Sequence, residues 1–396
     1  MPEIREAVLV DAVRTATGKG KPGGALSEWH PVDLFAATLR ELIKRNELAL
    51  DAVDDVIGGV VTPIGEQGGN LARQSVLAAG LAESVPATTI DRKCGSSQQA
   101  AHFAAQAVMA GAYDLALAGG VEMLSRVRMQ SNTAGADHLG LGVRERYPDG
   151  LVNQGIAAEM VAAKWGLERD DLDAFSVASH QRAAAATQAG HFRDEILTVT
   201  GLDGAPVTAD EGIRPGTTIE RLAGLEPVFA TDEARERHPE LSWVVTAGSS
   251  SQISDGASAV LVAERNHAER LGLRPRARFV GFDVTGDDPV LMLTGIIPST
   301  RGVLDRAGLD IDDIDLFEVN EAFAPVVLAW QRELGVDDDR VNVNGGAIAL
   351  GHPLGCTGTR LMTTLLHELE RREGRYGLQV MCEAGGQANA TIIERI

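Results

Sequence analysis

Apolar positions follow two different periods along the chain, and the alternation between them predicts an α/β protein. Residues 7–13 form an almost continuous apolar run, which is typical of a buried strand. Residues 31–45 instead place leucines, among them Leu34 and Leu42, on one side of a helix, which predicts an amphipathic element. The next segment, 53–61, indicates a step from a helix into a second buried strand.

The same succession of elements occurs twice, which indicates an internal duplication. In each half a helix-to-strand step is followed by a strand, a turn, a helix and another strand. The predicted elements are strands at 87–91 and 115–118 and a helix at 97–110 in the first half, and strands at 340–343 and 378–382, a glycine-rich turn at 345–355 and a helix at 357–370 in the second. A repeat of this length predicts two copies of an α/β unit rather than a short-period solenoid.

The region between the two copies does not continue the repeat. Residues 122–249 contain irregular glycine-rich and charged stretches around two predicted helices, 156–165 and 172–189. Such an insertion is typical of a loop domain that supplies substrate contacts. We therefore expect an amino-terminal half at 1–121 plus 250–273, a loop domain at 122–249 and a carboxy-terminal half at 274–396.

Composition and charge narrow the classes of partner. The 396 residues are 44% hydrophobic, enough for a large core, and only 4% are aromatic, so the core is expected to be aliphatic. The net charge of −20 disfavours nucleic acid, because its phosphates need a basic face. An anionic ligand would need a local patch of Arg, Lys or backbone N–H groups.

Targeting and redox signals predict a cytoplasmic protein with no membrane association. Residues 1–6 are charged where a signal peptide needs an apolar stretch, and no run of about 18 apolar residues follows. Cys94, Cys356 and Cys382 are few and far apart, so we expect free thiols rather than a disulfide framework.

A cysteine occupies the predicted turn between a strand and a helix. Cys94 lies within residues 91–99, just before the first turn of the helix. The open N–H groups of a helix start favour negative charge, so Cys94 could be held partly as the reactive thiolate, with help from Arg92 and Lys93. A small buried cysteine without chemistry is an equally good interpretation of this segment alone.

Two further segments carry candidate chemistry. His352 lies in the glycine-rich run 342–358, where Pro353 biases it away from helical geometry and a base could be held. Cys382 ends a predicted strand, so all three candidates fall at strand ends or turns and could meet at one seam. A zinc site is disfavoured because no close Cys or His pair nucleates one, so we expect no metal.

Four segments together resemble the signature motifs of the thiolase family, in the family's order and spacing. They are the block around Cys94, the block 320–324 (Asn-Glu-Ala-Phe-Ala), the run 345–358 and the tail 382–386. The resemblance covers essentially the whole chain. It implies the thiolase fold, in which two duplicated α/β halves pack in five α-β-α-β-α layers under an inserted loop domain, and it implies a homodimer or homotetramer.

The resemblance also implies roles for individual residues. Cys94 would be the nucleophile, His352 the base that takes its proton, and Cys382 the acid that protonates the leaving enolate and later the base for CoA. One oxyanion hole would use His352 with a water held by Asn320, and the other the backbone N–H groups of Cys94 and Ala384.

Coenzyme A would be a co-substrate, and no permanently bound cofactor is implied. By the same resemblance, its contacts would come from Arg214 near the adenine and phosphates, Ser251 beside the pantetheine arm, and Phe323. The implied reaction is thiolytic cleavage of 3-oxoacyl-CoA to acetyl-CoA or propionyl-CoA and a shortened acyl-CoA, in fatty-acid or steroid side-chain β-oxidation.

Several departures from the family pattern bear on substrate and local contacts. Ser249 stands where the family usually has Asn, and Glu383-Ala384 stand where an apolar residue and a glycine are usual. Residues 153–159 lack the His-Met-Gly sequence of acetoacetyl-CoA-specific members, and the segment containing Cys356, expected to be structural, is similar to degradative members. The cysteine block and the tail resemble actinobacterial thiolases of steroid and lipid breakdown.

Other functions use the same residues differently. A biosynthetic acetyl-CoA acetyltransferase would run the chemistry toward condensation, and residues do not report flux. A non-catalytic acyl-CoA or lipid-binding protein would not need a nucleophile and an acid together. A decarboxylating ketoacyl synthase would carry a second histidine where Cys382 stands.

Overall fold

The computed structural model describes residues 5–396 as a mixed α/β fold around one large sheet. In chain order the strands are β1 (Ala7–Thr15), β2 (Gly18–Lys19), β3 (Asp55–Gly59), β4 (Ala87–Ile90), β5 (Leu115–Met123), β6 (Ile196–Leu197), β7 (Val199–Thr200), β8 (Pro206–Val207), β9 (Ser254–Glu264), β10 (Ala277–Gly286), β11 (Leu316–Val319), β12 (Tyr376–Glu383) and β13 (Gln387–Arg395). The α-helices are α1 (Pro31–Arg45), α2 (Leu71–Ala79), α3 (Ser96–Ala110), α4 (Gly140–Arg146), α5 (Gln154–Lys164), α6 (Arg169–Ala189), α7 (Ile219–Ala223), α8 (Asp232–Arg237), α9 (Arg265–Arg270), α10 (Ile296–Ala307), α11 (Ala324–Leu334), α12 (Ala347–Leu350) and α13 (Thr357–Arg372).

The predicted duplication is confirmed by the strand order. The first half has the order β4-β3-β5-β9-β1, and the second has β11-β12-β13-β10. In both halves the strands nearest the outer edge pair in parallel and the two nearest the junction pair antiparallel. The halves join where β1 and β10 pair antiparallel, with Val8 opposite Arg278 and Leu9 opposite Ala277.

Helices cover the joined sheet in the five predicted layers. α3 and α13 pack on each other and on strands of both halves, so they form the central layer. α1 and α2 cover the outer face of the first half, and α10 covers the second half with α11 beside it. The central layer is built from small side chains on α3, such as Ala100 and Ala104, against Met362 and Leu366 of α13, which lets the two halves approach closely.

One predicted strand is wrong. Residues 340–343 form no strand, and only Val341 makes an isolated bridge, to Phe317 of β11. The side chain of Asn342 takes the place of backbone hydrogen bonds between two strands. Its Oδ1 accepts from the Val319 N–H at 2.8 Å, and its Nδ2 donates to the Val319 carbonyl at 2.8 Å. The carboxamide thus satisfies backbone groups that a neighbouring strand would otherwise pair.

The inserted region packs mainly on the second half. α5 contacts α11, and α6 contacts both α11 and α12, so this region lies beside the segment that carries His352. We propose that residues 122–249 form the loop domain, with the two halves at the predicted boundaries. β5 extends to Met123, so the first residues of that range also belong to the sheet. Residues 1–4, which include part of the charged amino terminus, lie outside the described residues.

Candidate active site

Cys94 lies on a tight turn between β4 and α3, as the sequence indicated. Lys93, just before it, has a positive φ of 47°, a conformation that side chains rarely adopt and that the surroundings must enforce. The Ser96 hydroxyl enforces it by accepting from the Arg92 N–H at 2.9 Å and donating to the Lys93 carbonyl at 2.6 Å. The turn therefore fixes the direction of the Cys94 side chain.

The Cys94 thiol is buried and held in its neutral form. It packs in a small cluster with Val61, Leu354 and others, and burial, followed by the charge of Glu383, raises its pKa to about 12. Of the two interpretations of this segment, burial and the charge of Glu383 therefore favour the neutral buried thiol over a partly ionised one. Cys94 therefore needs a base before it can act as a nucleophile.

His352 has the properties of such a base. Burial, and secondarily the charge of Arg360, lowers its pKa to about 3, so the ring is neutral. Its Nε2 is buried and has no hydrogen-bond partner among the described residues. Its backbone N–H donates to the Gln252 carbonyl at 3.1 Å, which holds the loop after α12 in place. Leu354, two residues further on, belongs to the cluster around Cys94.

The second thiol, Cys382, lies near the first. Cys382 stands at the end of β12, and burial, followed by the charge of Cys94, raises its pKa. Asn320 follows β11, and its backbone N–H donates to the Val380 carbonyl at 3.1 Å, which places it beside the end of β12. Its carboxamide lies near Cys382 and favours the thiolate there, yet neither polar atom has a geometrically good hydrogen bond within residues 5–396. A buried amide of this kind is available to hold a water or a substrate atom.

Ala384, named for the second oxyanion hole, follows β12 on the turn into β13. It is half-buried, and Gly385 and Gly386 after it have φ values of 89° and 74°. Glycine is the residue that adopts this conformation without strain, so the tight turn from β12 into β13 depends on these two glycines. The oxyanion role of the backbone N–H groups of Cys94 and Ala384 stays a prediction.

The three residues named for CoA lie around the His352 loop. The Ser251 N–H donates to the Ala322 carbonyl at 2.9 Å, and Ser250 bridges to Phe323. Arg214 is exposed, and its guanidinium lies 3.4 Å from Oε1 of Gln252. Their binding of CoA stays a prediction.

Gln252 links these segments, although no motif in the sequence singles it out. Its Nε2 donates to the carbonyl oxygens of Ile348 at 2.7 Å and Ala349 at 3.1 Å, and its own carbonyl accepts from the His352 N–H. A lone glutamine between Ser251 and Ile253 carries no recognisable signal, so only the structure reveals this position.

Two departures from the family pattern have local explanations. Ser249 is buried, and its Oγ accepts from the Thr246 N–H at 2.9 Å, so a serine closes this turn without an amide. Cys356 is buried at the start of α13, where its carbonyl accepts from Ser258 Oγ at 2.8 Å and burial raises the pKa of its thiol to about 11.

With this geometry in place, the chain belongs to the thiolase family. Residues 7–266 match the thiolase amino-terminal domain and residues 273–395 match the thiolase carboxy-terminal domain. The chain is 51% identical to the steroid 3-ketoacyl-CoA thiolase FadA6 of Mycobacterium tuberculosis over 99% of this chain and 95% of that protein. It is 44% identical to a 3-ketoacyl-CoA thiolase of Bacillus subtilis over 99% and 100% of the two chains.

A solved structure agrees with the sequence matches. The fold superimposes on that of human mitochondrial 3-ketoacyl-CoA thiolase with a TM-score of 0.86 at 36% identity, covering 99% of each chain. The layered arrangement of two duplicated halves is therefore the thiolase fold.

Proposed function

We propose that this enzyme cleaves 3-oxoacyl-CoA with coenzyme A, as an acetyl-CoA C-acyltransferase of β-oxidation. The observation that carries this proposal is the proximity of two buried, neutral thiols, Cys94 and Cys382, which are close enough for a charge on Cys94 to raise the pKa of Cys382. A reaction that needs a nucleophile and a separate acid at one carbonyl uses such a pair. A protein that only binds acyl-CoA has no use for both.

The first half of the reaction forms an acyl-enzyme. Nε2 of His352 takes the Cys94 proton, and the sulfur attacks the 3-oxo carbon. The bond between C2 and C3 then breaks, and the thiol of Cys382 protonates C2 of the departing enolate to give acetyl-CoA. Burial keeps Cys382 protonated until a strong base such as this enolate is present.

The second half returns the enzyme to its starting state. The Cys382 thiolate takes the proton of CoA, and the CoA sulfur attacks the acyl group on Cys94. Cys94 leaves as a thiolate and recovers its proton from His352. His352 with a water held by the Asn320 carboxamide would stabilise one negative carbonyl oxygen, and the backbone N–H groups of Cys94 and Ala384 would stabilise the other. Each lost donor costs about 10²–10³ in rate.

The substrate class is proposed from the relatives. FadA6 is named for steroid 3-ketoacyl-CoA, and the chain shares about half its residues with that protein. We propose that the acyl group is a fatty-acid chain or a steroid side chain, with acetyl-CoA or propionyl-CoA released. Arg214, Ser251 and Phe323 would contact CoA, which acts as co-substrate.

Assembly and location remain part of the proposal. Among residues 5–396, every helix is too short or too polar to span a membrane. We propose a cytoplasmic homodimer or homotetramer, and the mass of the particle in solution is the quantity that decides between these two.

A thiolysis panel tests the function. Purified enzyme, CoA and 3-oxoacyl-CoA esters with short, long and steroid-like acyl groups are incubated, and the loss of ester and appearance of acetyl-CoA or propionyl-CoA are followed. Cys94→Ser is the matched control, since it should bind CoA and lose turnover by several orders of magnitude. Binding of every ester without cleavage would instead favour a non-catalytic acyl-CoA-binding protein.

A further inference from the structure

Glu383 is a buried acid that the proposed reaction does not use. It follows Cys382 at the end of β12, so the two side chains leave the strand on opposite faces. Its side chain is fully buried, and neither carboxyl oxygen has a hydrogen-bond partner among the described residues. A buried polar group in this state destabilises a fold, so its presence needs an explanation.

The carboxyl group lies against the turn that carries Cys94. A Cβ placed on Gly95 would lie 1.9 Å from Oε1 of Glu383, so any larger residue at 95 would push this carboxyl group aside. The Asn389 amide closes the other side and donates from Nδ2 to the Gly95 carbonyl at 3.1 Å. Glu383 is therefore packed against the backbone of the residue next to the nucleophile.

Several ionisable groups act on this carboxyl or are acted on by it. Arg92 and Asp91 approach from the turn, with Arg92 favouring the charged form and Asp91 opposing it, and burial is the largest influence. Together they raise the pKa of Glu383 to about 8. The charge of Glu383 in turn raises the pKa of both Cys94 and Cys382.

The cation beside Glu383 is the guanidinium group of Arg92, and only part of it is hydrogen-bonded to other residues. Nη1 of Arg92 donates to Oε1 of Gln387 at 2.8 Å, whereas its Nε is buried without a partner in the described structure. Gln387 is paired with Glu383 across the β12–β13 hairpin. The buried acid, the half-buried arginine and the buried nucleophile thus form one cluster around the Cys94 turn.

We propose that Glu383 is a positioning residue that sets the pH range in which Cys94 can act as a nucleophile. In its uncharged form it leaves the proton of Cys94 free to pass to His352. In its charged form it opposes the negative charge that develops on the Cys94 sulfur. The carboxyl group takes no part in the proposed proton transfers, and the inference rests on the proposed role of Cys94.

The test compares wild type with Glu383→Gln, an amide of the same shape without the charge. Alkylation of the full-length enzyme by iodoacetamide is followed from mildly acidic to alkaline pH, and peptide mass spectrometry resolves the rate at Cys94. Below about pH 7 the two proteins should react equally, and above about pH 8.5 the variant should react about threefold faster or more, since one pKa unit is a tenfold change in thiolate. Rates at Cys94 that agree within about twofold at every pH would overturn the proposal.

Glu318→Gln is the matched control. Glu318 is also a buried carboxyl with an unpartnered oxygen and a pKa raised to about 8, but the charges that act on it are those of Arg360 and other carboxylates. Its substitution should leave the alkylation profile of Cys94 at the wild-type values. An equal acceleration in both variants would mean general loosening of the protein, and the proposal would fail.

Two further measurements separate the possible failures. If Glu383→Gln does not fold, the wild-type profile decides: the rate at Cys94 should rise less steeply above about pH 8 than below it, and a uniform rise would contradict the inference. Thiolysis is assayed in parallel. An unchanged alkylation profile with active thiolysis overturns the inference alone, whereas a shifted profile without thiolysis in wild type supports it and overturns the proposed function.

Discussion

Nδ1 of His352 lies 2.7 Å from Oγ1 of Thr357, and this contact determines which nitrogen of the ring is free. The Thr357 hydroxyl donates its proton to the Pro353 carbonyl at 2.9 Å, so its oxygen accepts from the histidine. The hydrogen-bond network therefore assigns the proton to Nδ1 and the lone pair to the unpartnered Nε2. A threonine five residues after the histidine prepares it to act as a base.

Replacing Thr357 with Val should slow the chemical step with little effect on CoA affinity. The variant keeps the shape of the side chain but loses the acceptor, so the ring can adopt the wrong tautomer or turn. We expect kcat for thiolysis to fall roughly 10- to 100-fold, a part of what general-base catalysis contributes. Thr357→Ser, which keeps the hydroxyl, should recover most of the rate, and a failure of this rescue would contradict the assignment.

Cys356 should be dispensable for catalysis. Its thiol is buried next to the catalytic loop, but it has no role in the proposed proton transfers. Cys356→Ala should keep kcat near wild type and lower the free energy of unfolding by about 1 kcal/mol, since a small buried group is lost. Steady-state thiolysis and urea unfolding measure the two effects. An inactive but folded variant would mean that the chemistry has been assigned to the wrong cysteine.

The sequence predicts elements well where one strong pattern determines them. α1 spans the predicted range, Pro31–Arg45, because its apolar face and the proline at its start agree. The strand predicted at 340–343 does not form, because the side chain of Asn342 makes the hydrogen bonds to the backbone of β11. Hydrophobic periodicity does not encode such side-chain contacts.

Sequence motifs propose the residues of the candidate site, but they do not encode its electrostatics. Motifs in four segments indicated Cys94, Asn320, His352 and Cys382, and the described chain brings Cys94, Asn320 and Cys382 into one buried region, with the His352 loop packed against it. The raised pKa of Cys94 depends on burial by residues distant in sequence, which the local pattern at the helix start does not encode. The approach of Glu383 to Gly95 likewise depends on packing between the two halves.

Arg214 should affect CoA binding rather than turnover. Its guanidinium is exposed beside Gln252, which supports the His352 loop, so it is placed to meet a phosphate. Arg214→Ala should raise KM for CoA roughly 3- to 10-fold with little change in kcat, because an exposed charge contact contributes about 1 kcal/mol. Arg193→Ala, another exposed loop-domain arginine, is the control. Equal effects in the two variants would exclude a specific contact at Arg214.

Stability should fall in mild acid through histidines that are buried in neutral form. Burial, with the charge of Arg92, lowers the pKa of His102 to about 3 from 6.5, so acid protonates the unfolded chain first. Stability from His102 is therefore full above 6.5 and decreases as pH falls towards about 3. His102→Gln lacks this titration. The difference in free energy of unfolding between wild type and this variant, measured by urea unfolding, should therefore shrink by about 2 kcal/mol between about pH 7 and pH 5. A difference in free energy of unfolding that does not change with pH would contradict the lowered pKa of His102.

The most direct test of the account is a search for the acyl-enzyme. The protein is incubated with a 3-oxoacyl-CoA ester without free CoA, digested under conditions that preserve thioesters, and analysed by mass spectrometry. We expect release of acetyl-CoA or propionyl-CoA and a correspondingly shortened acyl group on the peptide that contains Cys94, and we expect this acyl group to disappear when CoA is added. An adduct that forms instead on Cys382 or Cys356 and is removed by CoA, or turnover without any adduct on Cys94, would contradict it.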